Sequence, residues 1–70
     1  MKISQNIKFY RKALGLTQEK LAMLLNAKKS LISNYENEYS TPDISTLIKL
    51  ADIFEISLDE LVGRDFNNFQ

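Results

Sequence analysis

Residues 18–37 read QEKLAMLLNAKKSLISNYEN, two short apolar-periodic segments with a single turn between them. Leu21 and Leu25 mark the buried side of the first segment, and Ile32 and Tyr35 that of the second. Asn26 sits at the turn, where asparagine tolerates left-handed backbone better than most residues. Ala22 is small enough to let the two helices approach closely. At about 100° per residue, Ile32 and Tyr35 share one side of the second helix, and Lys29, Ser30, Ser33, Asn34 and Asn37 share the other. That outer face carries one lysine, four hydrogen-bonding side chains and no acid. It suits base edges and phosphates. Leu31, at its flank, reads as a half-buried packing residue or a contact for a thymine methyl, and is left out of the site.

The same periodicity extends outward. Ile3, Ile7, Tyr10 and Leu14 recur at helical spacing and Gly15 follows as a stop, predicting a first helix over 3–14. Thr17 offers an N-cap oxygen for a second helix over 18–25, with Leu16 and Leu21 as a hydrophobic staple and Glu19 favouring the positive helix end. The third helix is expected over 28–37. Pro42 opens the next connection, and Asp43 caps a fourth helix over 44–54 whose apolar face is Ile44, Leu47, Leu50, Ala51 and Phe54. Ser57 and Glu60 spell a capping box with Ile56 and Leu61 as its staple, starting a fifth helix that stops at Gly63. The expected fold is all-α, a compact five-helix domain over 1–63, followed by a short tail, 64–70.

Composition narrows the function. The chain has 70 residues, room for one small domain. It contains no cysteine and no histidine, which removes disulfides, thiolate metal sites and the commonest general base. No Walker loop, zinc spacing or nucleophile constellation is present, so neither an enzyme nor a cofactor nor a metal is expected. No run approaches the roughly 18 apolar residues of a membrane span, and the first residues are too polar for a signal peptide. A cytoplasmic protein is the expectation. Net charge is zero, yet residues 1–35 carry seven bases and one acid, and residues 36–70 two bases and eight acids. A split this complete suggests one end that faces a polyanion and one that faces away.

Two short helices joined by a tight turn form the helix-turn-helix plan, whose second helix can enter the DNA major groove. The segments GLTQEKLAMLL, KKSLISNYEN and TPDISTLIKLADIFEISLDELVG, in that register, resemble the phage repressor and Cro type of helix-turn-helix, the XRE family. The resemblance covers about residues 3–63 and implies a lambda-repressor-like DNA-binding domain.

It also implies roles. Gln18 matches a glutamine that binds a DNA phosphate together with the backbone at the start of the second helix. Lys29, Ser30 and Asn34 match base-reading positions, and Ser33 flanks them. Asn37 and Tyr39 match the segment that grips the backbone after the recognition helix. The implied phosphate-contacting set is Thr17, Gln18, Lys28, Asn37 and Tyr39. Arg11 and Glu36 match a partly buried ion pair tying the first helix to the end of the third. By their chemistry, Lys29 favours guanine O6 or N7 and Asn34 favours adenine.

Two departures from the family pattern are visible. Lys28 stands where Ser or Thr usually caps the third helix, a loss of about 1 kcal/mol that predicts a first turn that frays or begins one residue late. Glu38 stands where glycine is frequent, and ENEYST lacks the bases that often follow. Fewer phosphate contacts predict modest affinity per monomer and a shallow salt slope.

Bland readings take the remaining charges. Lys8, Lys12, Lys20 and Lys49 read as solvated helix faces, Tyr10 and Tyr35 as core, and Asp59 and Glu60 as helix-start electrostatics. The expected function is sequence-specific transcriptional regulation, with repression favoured, by a homodimer on an inverted-repeat operator in double-stranded DNA. The dimer surface is expected around Phe54, Glu55 and Ile56, with Phe66 and Phe69 of the tail adding to it. The alternative on the same fold is an antitoxin or anti-repressor module whose acidic half grips a regulatory protein partner.

Overall fold

Side-chain caps set three of the helix starts. The Thr17 hydroxyl oxygen accepts the Lys20 N–H at 3.0 Å, the Asp43 carboxylate accepts the Thr46 N–H at 2.9 Å, and the Ser57 hydroxyl oxygen accepts the Glu60 N–H at 3.0 Å. Glu60 returns the bond by accepting the Ser57 N–H at 3.0 Å, which completes the capping box. In the computed structural model, which describes residues 2–63, these starts belong to three of five helices. They are α1 (Ile3–Ala13), α2 (Gln18–Leu24), α3 (Lys29–Glu36), α4 (Ile44–Phe54) and α5 (Leu58–Val62). No strand occurs among the described residues, and no helix there is long and apolar enough to cross a membrane.

Helices α1, α2 and α3 are each slightly shorter than the apolar pattern suggested. Leu14, Leu25, Lys28 and Asn37 are cap residues, outside the helices proper. Lys28 is the N-cap of α3, with extended backbone and no side-chain cap bond, and the helix begins directly after it at Lys29 rather than one residue late.

The core is assembled from all five helices. Ile3 and Ile7 of α1, Leu21 and Ala22 of α2, Ile32 and Tyr35 of α3, Leu47, Leu50, Ala51 and Phe54 of α4, and Leu61 of α5 are buried together. Tyr10 packs half-buried against them, its ring stacked on Phe54 at a centroid distance of 5.8 Å. Burial pushes the Tyr35 hydroxyl pKa above its ordinary 10.0; a hydrogen bond with Thr46 opposes this and the Asp43 charge adds to it.

Two expectations are corrected. Phe54 is no surface residue: it lies in the core against Tyr10, so it offers nothing to a second copy. Ile44, assigned to the buried face of α4, is 70% exposed, because the first turn of α4 reaches past the core. Phe66 and Phe69 lie outside the described residues.

The two ends of the described chain meet. The Asn6 side-chain amide donates to the carbonyls of Leu61 at 3.0 Å and Glu60 at 3.3 Å. Gly63, at φ +83°, lies so close to Lys2 that an added Cβ would come within 3.0 Å of the Lys2 Cβ. The positive φ favours glycine there, and any larger residue would also have to push the Lys2 side chain aside by a few tenths of an ångström.

Candidate nucleic-acid interface

The turn between α2 and α3 is closed by backbone alone. Asn26 adopts φ +58°, as expected of it, its N–H donates to the Met23 carbonyl at 3.0 Å, and the Ala27 N–H donates to the Ala22 carbonyl at 2.8 Å. Ala22 is 1% exposed, and its methyl group is what allows the two helices to meet there. Leu21 and Ala22 on one helix and Ile32 and Tyr35 on the other fix which face of α3 remains outside.

That outer face is the one the periodicity indicated. Lys29, Ser30 and Asn34 are exposed along it, and Ser33 is half-buried beside them. Leu31 packs partly buried against the core. Asn37, the C-cap of α3, donates its side-chain amide to the Ser33 hydroxyl at 3.2 Å. With its oxygen accepting from Asn37, Ser33 keeps its own O–H free to donate outward.

Beyond the helix the chain turns sharply at Glu38, φ +63°. Tyr39 follows, 81% exposed. At the start of α2, the Thr17 oxygen accepts from Lys20, which leaves the Thr17 O–H free as a donor. Lys28 is also exposed. The positions expected to face phosphate therefore lie at the two ends of α3 and at the start of α2, flanking the four positions expected to face bases.

Beneath this surface lies an ion pair. The Arg11 Nε–H donates to Glu36 Oε2 at 2.6 Å and an Nη2–H to Oε1 at 3.1 Å. Both side chains are almost entirely buried. A third guanidinium donor, on Nη1, reaches the Leu16 carbonyl at 2.8 Å, so Arg11 joins α1, the turn before α2 and the end of α3. The Gln18 amide adds a further bond, donating from Nε2 to Glu36 Oε1 at 3.0 Å. The family resemblance implied Arg11–Glu36 but carried no signal for the bond from Gln18 to Glu36 or from Arg11 to Leu16. The Asn37–Ser33 bond could have been suspected from its i, i+4 spacing.

The arrangement is that of a helix pair built to present one polar helix face. The helix-turn-helix family model matches residues 7–61, and the chain belongs to that family, in its XRE-type branch of DNA-binding transcriptional regulators. It is 38% identical over 65 residues to the transcriptional regulator ImmR of Bacillus subtilis strain 168, across 93% of this chain and 51% of that protein. It is likewise 38% identical over 64 residues to the transcriptional repressor RstR of the cryptic phage CTXphi in Vibrio cholerae, across 91% of this chain and 57% of that protein. The immunity repressor of Bacillus phage phi105 is 34% identical across 93% of this chain and 45% of its own length. The crystal structure of a transcriptional regulator from Listeria innocua superposes with a TM-score of 0.83 at 36% identity, covering 90% of this chain and 59% of that one. The chain spans about half the length of the curated relatives it matches.

Proposed function

We propose that the chain is a sequence-specific DNA-binding transcriptional regulator, acting as a repressor, that lays α3 in the major groove and occupies an inverted-repeat operator as a homodimer. The exposed face of α3 carries this reading: Lys29, Ser30 and Asn34 stand free of any acid, with Ser33 beside them. Lys29 reads guanine and Asn34 adenine, each good base contact contributing about 1–3 kcal/mol of discrimination. Thr17, Gln18, Lys28, Asn37 and Tyr39 hold phosphates and fix the register. Two relatives that bear the name repressor support the direction of control.

One α3 covers half a site, so a second copy supplies the other half, with half-sites about one helical turn apart. The turn between α4 and α5, with Glu55 exposed and Ile56 half-buried, is the surface assigned to that contact. Phe54 has no part in it.

Selection from a randomised duplex pool at physiological salt tests the proposal. Enrichment of an inverted repeat is the expected result and yields the operator with its spacing. A pool that stays random overturns it and points to a protein partner for the acidic half of the chain. On the selected site, Lys29→Ala and Asn34→Ala are expected to relax single base pairs, whereas Gln18→Ala weakens all sequences alike.

A further inference from the structure

We infer that Glu36 is a positioning residue for DNA binding: its buried carboxylate sets the direction in which the Gln18 amide faces a phosphate. The inference rests on the DNA-binding function proposed above and adds a part to it.

The chemistry of the contact leaves one orientation. A carboxylate accepts hydrogen bonds and donates none, so the amide nitrogen of Gln18, not its oxygen, must face Glu36. Gln18 Nε2 spends one hydrogen on Glu36 Oε1 at 3.0 Å and retains a second. That second N–H is the donor a phosphate oxygen needs. A glutamine free to rotate about its last torsion would present its oxygen to the phosphate as readily as its nitrogen, and two acceptors repel. The carboxylate removes the wrong half of that choice before DNA arrives.

Glu36 can do this because it is itself held. The Arg11 guanidinium engages both of its oxygens, at 2.6 and 3.1 Å, and the Glu36 side chain is 3% exposed. Arg11 also binds the Leu16 carbonyl, at the entry to α2. Gln18 begins α2 and Glu36 ends α3, so one carboxylate relates the start of α2 to the end of α3.

Two measurements test this on the full chain. Without DNA, the side-chain amide of Gln18 is expected to be rigid by NMR relaxation, and mobile in Glu36→Gln and in the paired replacement Arg11→Met with Glu36→Leu. The pair is included because Glu36→Gln alone leaves a buried guanidinium poorly compensated, whereas apolar replacement of a whole buried pair is commonly tolerated. With the selected operator, Gln18→Ala is expected to weaken binding about tenfold in the unaltered chain. In the paired background the same change is expected to cost less than about twofold. Asn34→Ala should cost the same in both backgrounds, which separates positioning of one contact from general loosening of the fold. If Gln18→Ala costs as much in the paired background as in the unaltered chain, Glu36 does not position it. Failure of the DNA-binding function itself looks different, as no sequence-dependent binding by the unaltered chain.

Discussion

The backbone carbonyl of Asn34 accepts the Tyr39 N–H at 2.9 Å and the Ser40 N–H at 3.3 Å. The residue proposed to read a base thus also anchors the loop proposed to hold the DNA backbone. These bonds tie α3 to the loop that follows it, and the chain turns between them at Glu38, held at φ +63°.

Glu38 bears two costs, one steric and one electrostatic. Left-handed backbone costs a residue with a Cβ about 1–2 kcal/mol relative to glycine, offset in part by the flexibility glycine adds to the unfolded chain. Glu38→Gly is therefore expected to stabilise the domain by about 1 kcal/mol, read as a higher urea midpoint. Glu38→Gln keeps the Cβ and should leave the midpoint nearly unchanged. Both remove an acid next to Asn37 and Tyr39, and both should tighten DNA binding two- to fivefold or so at low salt. If only the glycine variant tightened binding, charge would have no part in the effect.

The uncapped start of α3 makes the opposite trade. Lys28→Thr supplies the missing hydroxyl acceptor and is expected to add about 1 kcal/mol of stability. It also removes a cation, so the salt slope of DNA binding should fall by about one unit. A gain in stability with an unchanged slope would take Lys28 out of the phosphate-contacting set.

Asp43 links stability to acid. Its carboxylate accepts the Thr46 hydroxyl and N–H, bonds that hold its pKa below the ordinary 3.8; Ser45 and Lys49 act in the same direction and desolvation opposes them. A carboxyl group depressed on folding stabilises the native state above its unfolded pKa, and the contribution disappears as pH falls through the lower, folded value. The advantage of the parent over Asp43→Ala should therefore hold at about pH 5 and shrink toward about pH 2, by parallel thermal melts. A difference that grew on acidification would contradict this assignment.

Leu50 is completely buried where α4 meets the rest of the core. Leu50→Ala should cost about 2–5 kcal/mol, a large share of what so small a domain possesses. Circular dichroism is expected to show a chain partly unfolded at room temperature, with DNA binding lost in proportion.

Local chemistry was legible from the residue order, and remote chemistry was not. The Ser57–Glu60 box, the Thr17 and Asp43 caps and the left-handed turn at Asn26 depend on residues within one turn of each other, so their pattern predicts their structure. The outer face of α3 was legible for the same reason: a single helix period separates Ile32 and Tyr35 from Lys29, Ser30 and Asn34. Ile44 was misplaced because a period identifies a stripe but not where the opposing surface ends. Phe54 was legible as core from the period of α4, and only its second assignment, to a dimer surface, fails, because the ring is already covered by Tyr10. The Gln18–Glu36 bond spans 18 residues and joins two side chains whose types would fit many other partners.

The bond from Asn6 to the Leu61 carbonyl, with Gly63 lying near Lys2, brings the first helix and the last into one neighbourhood. Residues 2–63 therefore form nearly a closed ring, and neither α1 nor α5 can peel away without weakening the other. Fraying, which usually begins independently at two termini, becomes here a single shared opening. Amide exchange should report α1 and α5 losing protection together, as one cooperative unit, ahead of the buried amides of α4.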